Sequence, residues 1–228
     1  MEYLVLIIFF ALILIYVKLW FDNIRDRKLL ETATSLRRGT KSERDLVLKL
    51  LKGSIPANAI FHDLYVRKRD GNFTQIDLIV PTRVGMLVFE VKDYSGWIFG
   101  SGDGFQWTQV LAYGDAKFKM YNPVEQNRRH IVELKKCLKQ FETIPFYSII
   151  VFFGDSELKK IENIPQNTYV VKSYEVVSLV NFLIANNSSV EYTDKVQIVK
   201  LLKDSVANGA IEENRTKHAS YVGSVLAK

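Results

Sequence analysis

Residues 75–92 read QIDLIVPTRVGMLVFEVK, and this stretch decides what core the chain can build. Two runs rich in β-branched and large apolar residues, 75–80 and 86–91, flank the segment from Pro81 to Gly85, which predicts a β-hairpin. Both runs are apolar on both faces, as expected of strands in the middle of a covered sheet. With Arg83 and Val84 at the centre of the loop, Pro81 faces Met86 and Asp77 faces Glu90. The two carboxylates then share a face with their Cβ atoms about 5 Å apart. Lys92 lies two residues beyond Glu90, so strand alternation turns it to the same face.

Two acids and a lysine inside apolar strands need a reason. Burying charge is costly unless it is paired or holds a metal, and neighbouring carboxylates repel each other without a cation. A hard divalent ion resolves both problems. Mg²⁺, or Mn²⁺ in its stead, takes oxygen ligands, keeps several waters and accepts phosphate oxygens, so Asp77 and Glu90 are the candidate metal ligands. Lys92 then serves the attacking water or the charge on a phosphate. The other reading of the same residues is a salt-bridge network at the sheet's end, with Lys92 neutralising Glu90 and Asp77 facing solvent.

Working outward, Ser42 is positioned to cap a helix carrying Leu46, Leu50 and Leu51, with Glu43 in its first turn, until Gly53 and Pro56 stop it. Residues 60–66 read as a strand and residues 67–72 as a polar turn. Residues 94–110 alternate glycines with Trp97, Phe99, Phe105 and Trp107, which predicts further short strands. The GSGDG stretch at 100–104 lacks a following Gly-Lys-Ser/Thr and reads as a turn, not a phosphate loop. Pro123 opens a helix expected to run to about Phe141, with Ile131, Leu134 and Leu138 on one stripe. Residues 146–153 read as a buried strand and 169–172 as another, followed by helices near 174–184 and 193–206. The stretch from Gly209 onward is weakly periodic, expected either to dock or to fray.

The segments Gln75-Ile76-Asp77-Leu78-Ile79-Val80, Gly85 to Lys92, Gly96-Trp97-Ile98, and Asn122-Pro123 with Gln126 and His130 ahead of a helix occur in that order. Together they resemble the NERD family, the nuclease-related domain, itself similar to restriction-endonuclease-like nucleases with a PD-(D/E)xK core. The resemblance covers residues 39–138. It implies an α/β fold with a mixed central sheet flanked by helices. It also implies catalytic positions for Asp77, Glu90 and Lys92, an acidic first-helix position for Glu43 and a polar later-helix position for Gln126. One departure is visible: the family typically has Gly immediately before the first-helix Glu, where this chain has Ser42. Without the resemblance, Glu43 reads equally as a solvated first-turn acid favoured by the helix dipole, and Gln126 as an exposed helix amide. His130 reads as structural or surface, Trp97 and Trp107 as packing, and Cys137 as a small apolar filler.

Tyr3 to Val17 is an unbroken apolar run. It reaches the length of a membrane span, about 20 residues, if Lys18 snorkels and Leu19, Trp20 and Phe21 form the interfacial end. Glu2 before the run and the bulky residues after it argue against a cleaved signal. Six basic residues against three acidic ones in 22–41 put that flank in the cytoplasm. Cys137, the single cysteine, excludes an intramolecular disulfide and any multi-cysteine zinc site. The formal charge of +6 falls to +3 over residues 42–228, so composition alone does not argue for nucleic acid.

The organisation expected is therefore an anchor at 1–21, a basic juxtamembrane linker at 22–40, a nuclease-like domain at 41–172 and C-terminal helices at 173–228. The expected function is a single-pass, cytoplasm-facing, Mg²⁺-dependent phosphodiesterase acting on DNA first and RNA second, with no small-molecule cofactor. The alternative is a non-catalytic module of the same fold that binds nucleic acid or a protein at the membrane. The C-terminal helices offer a surface for a protein partner.

Overall fold

The computed structural model describes residues 2–111 and 114–226. Met1 and the last two residues of the C-terminal segment lie outside the described residues. The chain forms a mixed α/β structure in which a sheet is flanked by helices. Strands β1 (Phe61–Arg67), β2 (Phe73–Thr82) and β3 (Gly85–Asp93) form an antiparallel meander. Strand β7 (Phe146–Phe153) adds parallel to β3, and β9 (Thr168–Lys172) adds parallel to β7, completing five strands in the order β1-β2-β3-β7-β9. The predicted hairpin register holds, with Pro81 opposite Met86 and Leu78 opposite Phe89 around a two-residue loop.

Both faces of this sheet are covered, as the doubly apolar strands require. On one face, Leu78, Val80, Leu87 and Phe89 pack with Leu46, Val47 and Leu50 of α2 (Lys41–Lys52) and with Val176, Val180 and Leu183 of α4 (Val176–Asn186). On the other, Ile79, Met86 and Val88 pack with Leu134 of α3 (Pro123–Lys135) and with Ile198 and Leu202 of α5 (Lys195–Ala210). Each such buried Leu, Ile or Phe contributes about 1.5–3 kcal/mol relative to exposure.

A second, four-stranded sheet ordered β6-β5-β4-β8 stands beside the first. Its strands are β4 (Gly96–Ser101), β5 (Gln106–Leu111), β6 (Ala116–Tyr121) and β8 (Ser156–Glu162), the last parallel to β4. Its inner face rests on the main sheet through Ile98, Trp107, Met120, Ile150 and Phe152, the Trp107 and Phe152 rings stacked with centroids 6.0 Å apart. Trp107 is thus packing, as its sequence setting suggested.

Two local expectations are corrected. The cap of α2 is Thr40, whose hydroxyl accepts from the Glu43 N–H, while Ser42 sits inside the helix and donates to an Asp93 carboxylate oxygen. Helix α3 stops at Lys135 instead of about Phe141: Leu138 takes an extended conformation, which lets Phe141 turn into the core. Of the two outcomes expected for the stretch after Gly209, the structure has the docked one, as α6 (Glu212–Leu226) packed on β2 and α5.

Helix α1 (Glu2–Glu31) carries the apolar run and continues past it. The described side chains of residues 3–21 are exposed, whereas Leu30 is buried in the core and Ala33 and Leu36 pack against it.

Candidate active site

The acids sit where the main sheet opens. The β2–β3 ladder ends at Leu78 and Phe89, one step before Asp77 and Glu90. On the other side of β2, the ladder to β1 skips Asp63, which would face Asp77 and instead has φ +56°. Alternation breaks there too, because Ile76 and Ile79 both join the cluster beneath α3 and α5. The Asp77 side chain fills the gap, its Oδ2 accepting the Val91 N–H at 2.7 Å. A side-chain oxygen thus takes the backbone donor that a continuing ladder would have used.

Glu90 is 2% exposed. Its Oε1 lies 2.7 Å from Lys92 Nζ, and Lys92 Nζ also donates to Gln126 Oε1 at 2.9 Å. Gln126 is carried to this point by α3, whose N-terminus is capped by the Asn122 side chain and opened by Pro123. One turn further along α3, His130 Nε2 stands 3.4 Å from Glu90 Oε2, while its Nδ1 is 2.8 Å from Thr74 Oγ1. That 3.4 Å approach supplies proximity but not an aligned hydrogen bond, so Glu90 Oε2 is buried without a hydrogen-bond partner.

Electrostatics separate the two acids. Burial first, then the charges of Glu90 and Glu43, hold the Asp77 carboxyl well above the usual carboxylate range. Burial alone would lift the Glu90 carboxyl as well, but the Lys92 ammonium and the neighbouring His130 together outweigh it and keep Glu90 below its ordinary value. Burial likewise works against the Lys92 ammonium, and the charge and hydrogen bond of Glu90 together with the charges of Asp77 and Tyr94 override it and raise Lys92.

Glu43 is set apart from this group. Its Oε1 accepts from the Thr40 hydroxyl at 2.8 Å, and its Oε2 lies 3.3 Å from Nε2 of the buried His62. Burial alone would raise its carboxyl, but the bonds from His62 and Thr40 outweigh burial and lower it. Asp77 feels its charge, yet Glu43 does not line the cleft described next.

Asp77, Gln126 and His130 open into a cleft of about 790 Å³. Lys68, Arg128 and Arg129 add positive charge to its wall, Phe105 and Tyr121 add rings, and His218 and Tyr221 of α6 close one side. The structure therefore brings Asp77, Glu90, Lys92 and Gln126 together, with Glu43 near enough for its charge to act on Asp77. Sequence reasoning missed His130 as a neighbour of Glu90; its position one turn after Gln126 was the only signal. Among the described residues, no group of three or more His, Cys, Asp or Glu gathers as a ready-made metal cage.

The nuclease-related domain, NERD, matches residues 38–153, from just before Gly39 to the end of β7. The chain belongs to the NERD family. That family is related to the PD-(D/E)xK restriction-endonuclease-like superfamily, so a nuclease-related function follows for this NERD protein in general terms. An uncharacterized protein of Bacillus anthracis is 28% identical to it over 200 residues, covering 82% of this chain and 85% of the relative. No solved structure matches the chain.

Proposed function

We propose that this NERD protein is a membrane-anchored, divalent-metal-dependent phosphodiesterase that cleaves nucleic acid, DNA in preference to RNA. The observation that carries this reading is a charge deficit at the mouth of the splayed strands. Asp77 is forced toward its protonated form by burial and two neighbouring acids, and Glu90 keeps one buried oxygen without a hydrogen bond. A cation removes both penalties.

The donor set suits Mg²⁺ or Mn²⁺. Two hard carboxylates from different strands leave the remaining positions to water and substrate phosphate, which Mg²⁺ prefers to an all-protein cage. Asp77 and Glu90 would hold the ion, which when bound supplies Lewis acidity and a water of lowered pKa. Lys92, kept charged by Glu90, is the cation beside the acids that would serve a phosphate oxygen or the attacking water's orientation. Gln126 fixes the direction of the Lys92 ammonium by accepting one of its N–H groups. Glu43 contributes negative potential toward Asp77 from behind, which favours a cation there.

The anchor reading rests on α1, whose apolar part has mean hydropathy 2.8 and no buried residue among those described. At 30 residues it is about 45 Å long, enough to cross a bilayer and emerge into the basic flank. The excess of basic residues after Phe21 favours a cytoplasmic domain.

A second reading has its own observation. The 2.7 Å Lys92–Glu90 ion pair already neutralises one acid, as a non-catalytic binding module would require. The test is incubation of the full chain, in detergent micelles, with single-stranded, duplex and branched DNA and with RNA, in Mg²⁺, Mn²⁺ or chelator. Cleavage is expected with metal and lost with chelator and in Asp77→Asn. Binding without cleavage under every metal condition selects the non-catalytic module.

A further inference from the structure

The cleft's wall holds an aromatic side chain that packing does not explain. Phe105 is 71% exposed, although a phenyl ring gains by burial and its neighbour Trp107 is fully buried. Among the described residues, the ring contact of Phe105 is an edge-to-face one from Tyr121, with centroids 5.7 Å apart and planes at 77°, and the Arg129 guanidinium stands 5.5 Å over the Tyr121 ring. Cation, supporting ring and exposed ring thus follow one another along the wall that also carries Asp77 and Gln126.

The ring is also held in place. Phe105 ends the turn between β4 and β5, and the Asn122 side-chain amide donates to three carbonyls of that turn, Ser101, Gly102 and Gly104. The Trp107 indole N–H donates to the same Ser101 carbonyl at 2.9 Å, and the Asn122 N–H donates to the Phe105 carbonyl at 3.2 Å. Asn122 Oδ1 meanwhile caps α3, the helix that carries Gln126, Arg128 and Arg129. One asparagine therefore ties the turn presenting Phe105 to the helix presenting the polar side of the cleft. A fixed, exposed ring presented in register with these groups is a binding feature, not a loose loop tip.

We propose that Phe105 is a base-stacking platform, and that the cleft accordingly takes single-stranded nucleic acid. A phenyl ring offers a phosphate nothing, but it offers a base with a free face a stacking partner, while the neighbouring guanidiniums and Lys68 attract the backbone. Inside a duplex the base faces are covered by their neighbours, so the ring is useful only where a base is unstacked. Because every base has a π-face, this device selects strandedness and not sequence. The proposal rests on the phosphodiesterase reading of the cleft and adds its substrate class.

The test is fluorescence anisotropy with the full chain in micelles and chelator present, so that no strand is cut. Three labelled probes are compared: a single-stranded oligodeoxynucleotide, the same strand with abasic sites, and the same strand annealed to its complement. Wild type is expected to bind the base-bearing single strand best. Phe105→Ala is expected to weaken that binding about 5- to 140-fold, from the cost of one lost stacking contact, and to leave abasic binding unchanged. Phe105→Trp restores it. Equal affinity of Phe105→Ala and wild type for the base-bearing strand, or equal losses on all three probes, overturns the stacking role while leaving the phosphodiesterase reading intact. Failure of wild type to bind any probe, with or without Mg²⁺, overturns both.

Discussion

Glu43 and Glu90 are both buried glutamates that face an imidazole nitrogen, and they are finished to different degrees. Both oxygens of Glu43 have neighbours, the Thr40 hydroxyl on one and His62 on the other, and His62 is itself bound through Nδ1 to Thr34 at 2.7 Å. Glu90 spends one oxygen on Lys92 and leaves the other buried without a hydrogen bond. An unsatisfied buried oxygen costs about 1–3 kcal/mol, more when charged, so a fold retains one at a site that something else completes. The Glu43 group instead joins α2 and β1 to the segment that follows α1. On the reading proposed above, the two acids serve different ends: Glu43 is closed into the framework and Glu90 is held ready.

The hardest attempt to break this comparison is Lys92→Met. If Glu90 is held ready for a metal, the variant loses cleavage by about 10²-fold or more, the scale of a positioned proton donor or electrostatic group. Without metal it also strands the Glu90 carboxylate and destabilises the domain by about 3–5 kcal/mol. Mg²⁺ is expected to return most of that loss, because the ion replaces the missing cation beside Glu90. Glu90→Gln should instead lose cleavage and the metal's stabilisation together. Thermal melts with and without Mg²⁺, paired with a cleavage assay, check this. Wild-type cleavage by Lys92→Met, or a melt that Mg²⁺ does not move, breaks the distinction.

Gly39→Ala probes the closed side. Gly39 has φ +58°, and a Cβ there would lie 2.3 Å from Glu43 Oε2 and 2.6 Å from His62 Nε2. The left-handed backbone costs a non-glycine residue about 1–2 kcal/mol, and displacing the Glu43–His62 contact adds about 1–3 kcal/mol. The expected result is a loss of about 2–4 kcal/mol in urea unfolding, with Mg²⁺ affinity within a few-fold of wild type. A large fall in metal affinity at unchanged stability would mean that Glu43 is a ligand and that the two acids are not separate.

How far these groups were legible in the sequence depends on the range of the contacts that make them. The hairpin register was readable because a two-residue loop and two apolar runs determine it locally, and it put Asp77 and Glu90 on adjoining positions. The splay beyond Leu78 was not readable, because it comes from Asp63 on a different strand dropping out of the ladder. Strands β6 and β8 escaped for a related reason. SELKKIE and AKFKMY are short and rich in lysine, and they are strands because they pair with β4 and β5, not because of their own pattern. The neighbour of His130 was not readable, because Glu90 lies forty residues earlier and is met only when α3 packs against β3. The α2 cap moved from Ser42 to Thr40 because two hydroxyl residues compete for that end and Asp93, far along the chain, takes one of them.

A third glutamate sharpens the comparison by having the most bonds and the smallest expected effect. Glu125, beside the cleft-lining Arg128 and Arg129, accepts two hydrogen bonds from Arg128, at 2.6 and 2.8 Å, and one from Arg129 at 2.8 Å. Those bonds, Arg128's first, pull its carboxyl from 4.5 down to about 2. A folded-state value below the unfolded one means that the group stabilises the fold fully above about pH 4.5 and loses that contribution as pH falls toward about 2. Both guanidiniums are 59% exposed, so solvent screens the pairs and the contribution at neutral pH is about 1 kcal/mol or less. Urea unfolding of wild type and Glu125→Gln should therefore differ by no more than that above pH 4.5, and the gap should close on acidification. Salt should narrow it at neutral pH. A gap of several kcal/mol, or one that widens as pH falls, would mean that solvent does not weaken these ion pairs as assumed. The larger effects predicted for Glu90 and Glu43 could then no longer be credited to their burial.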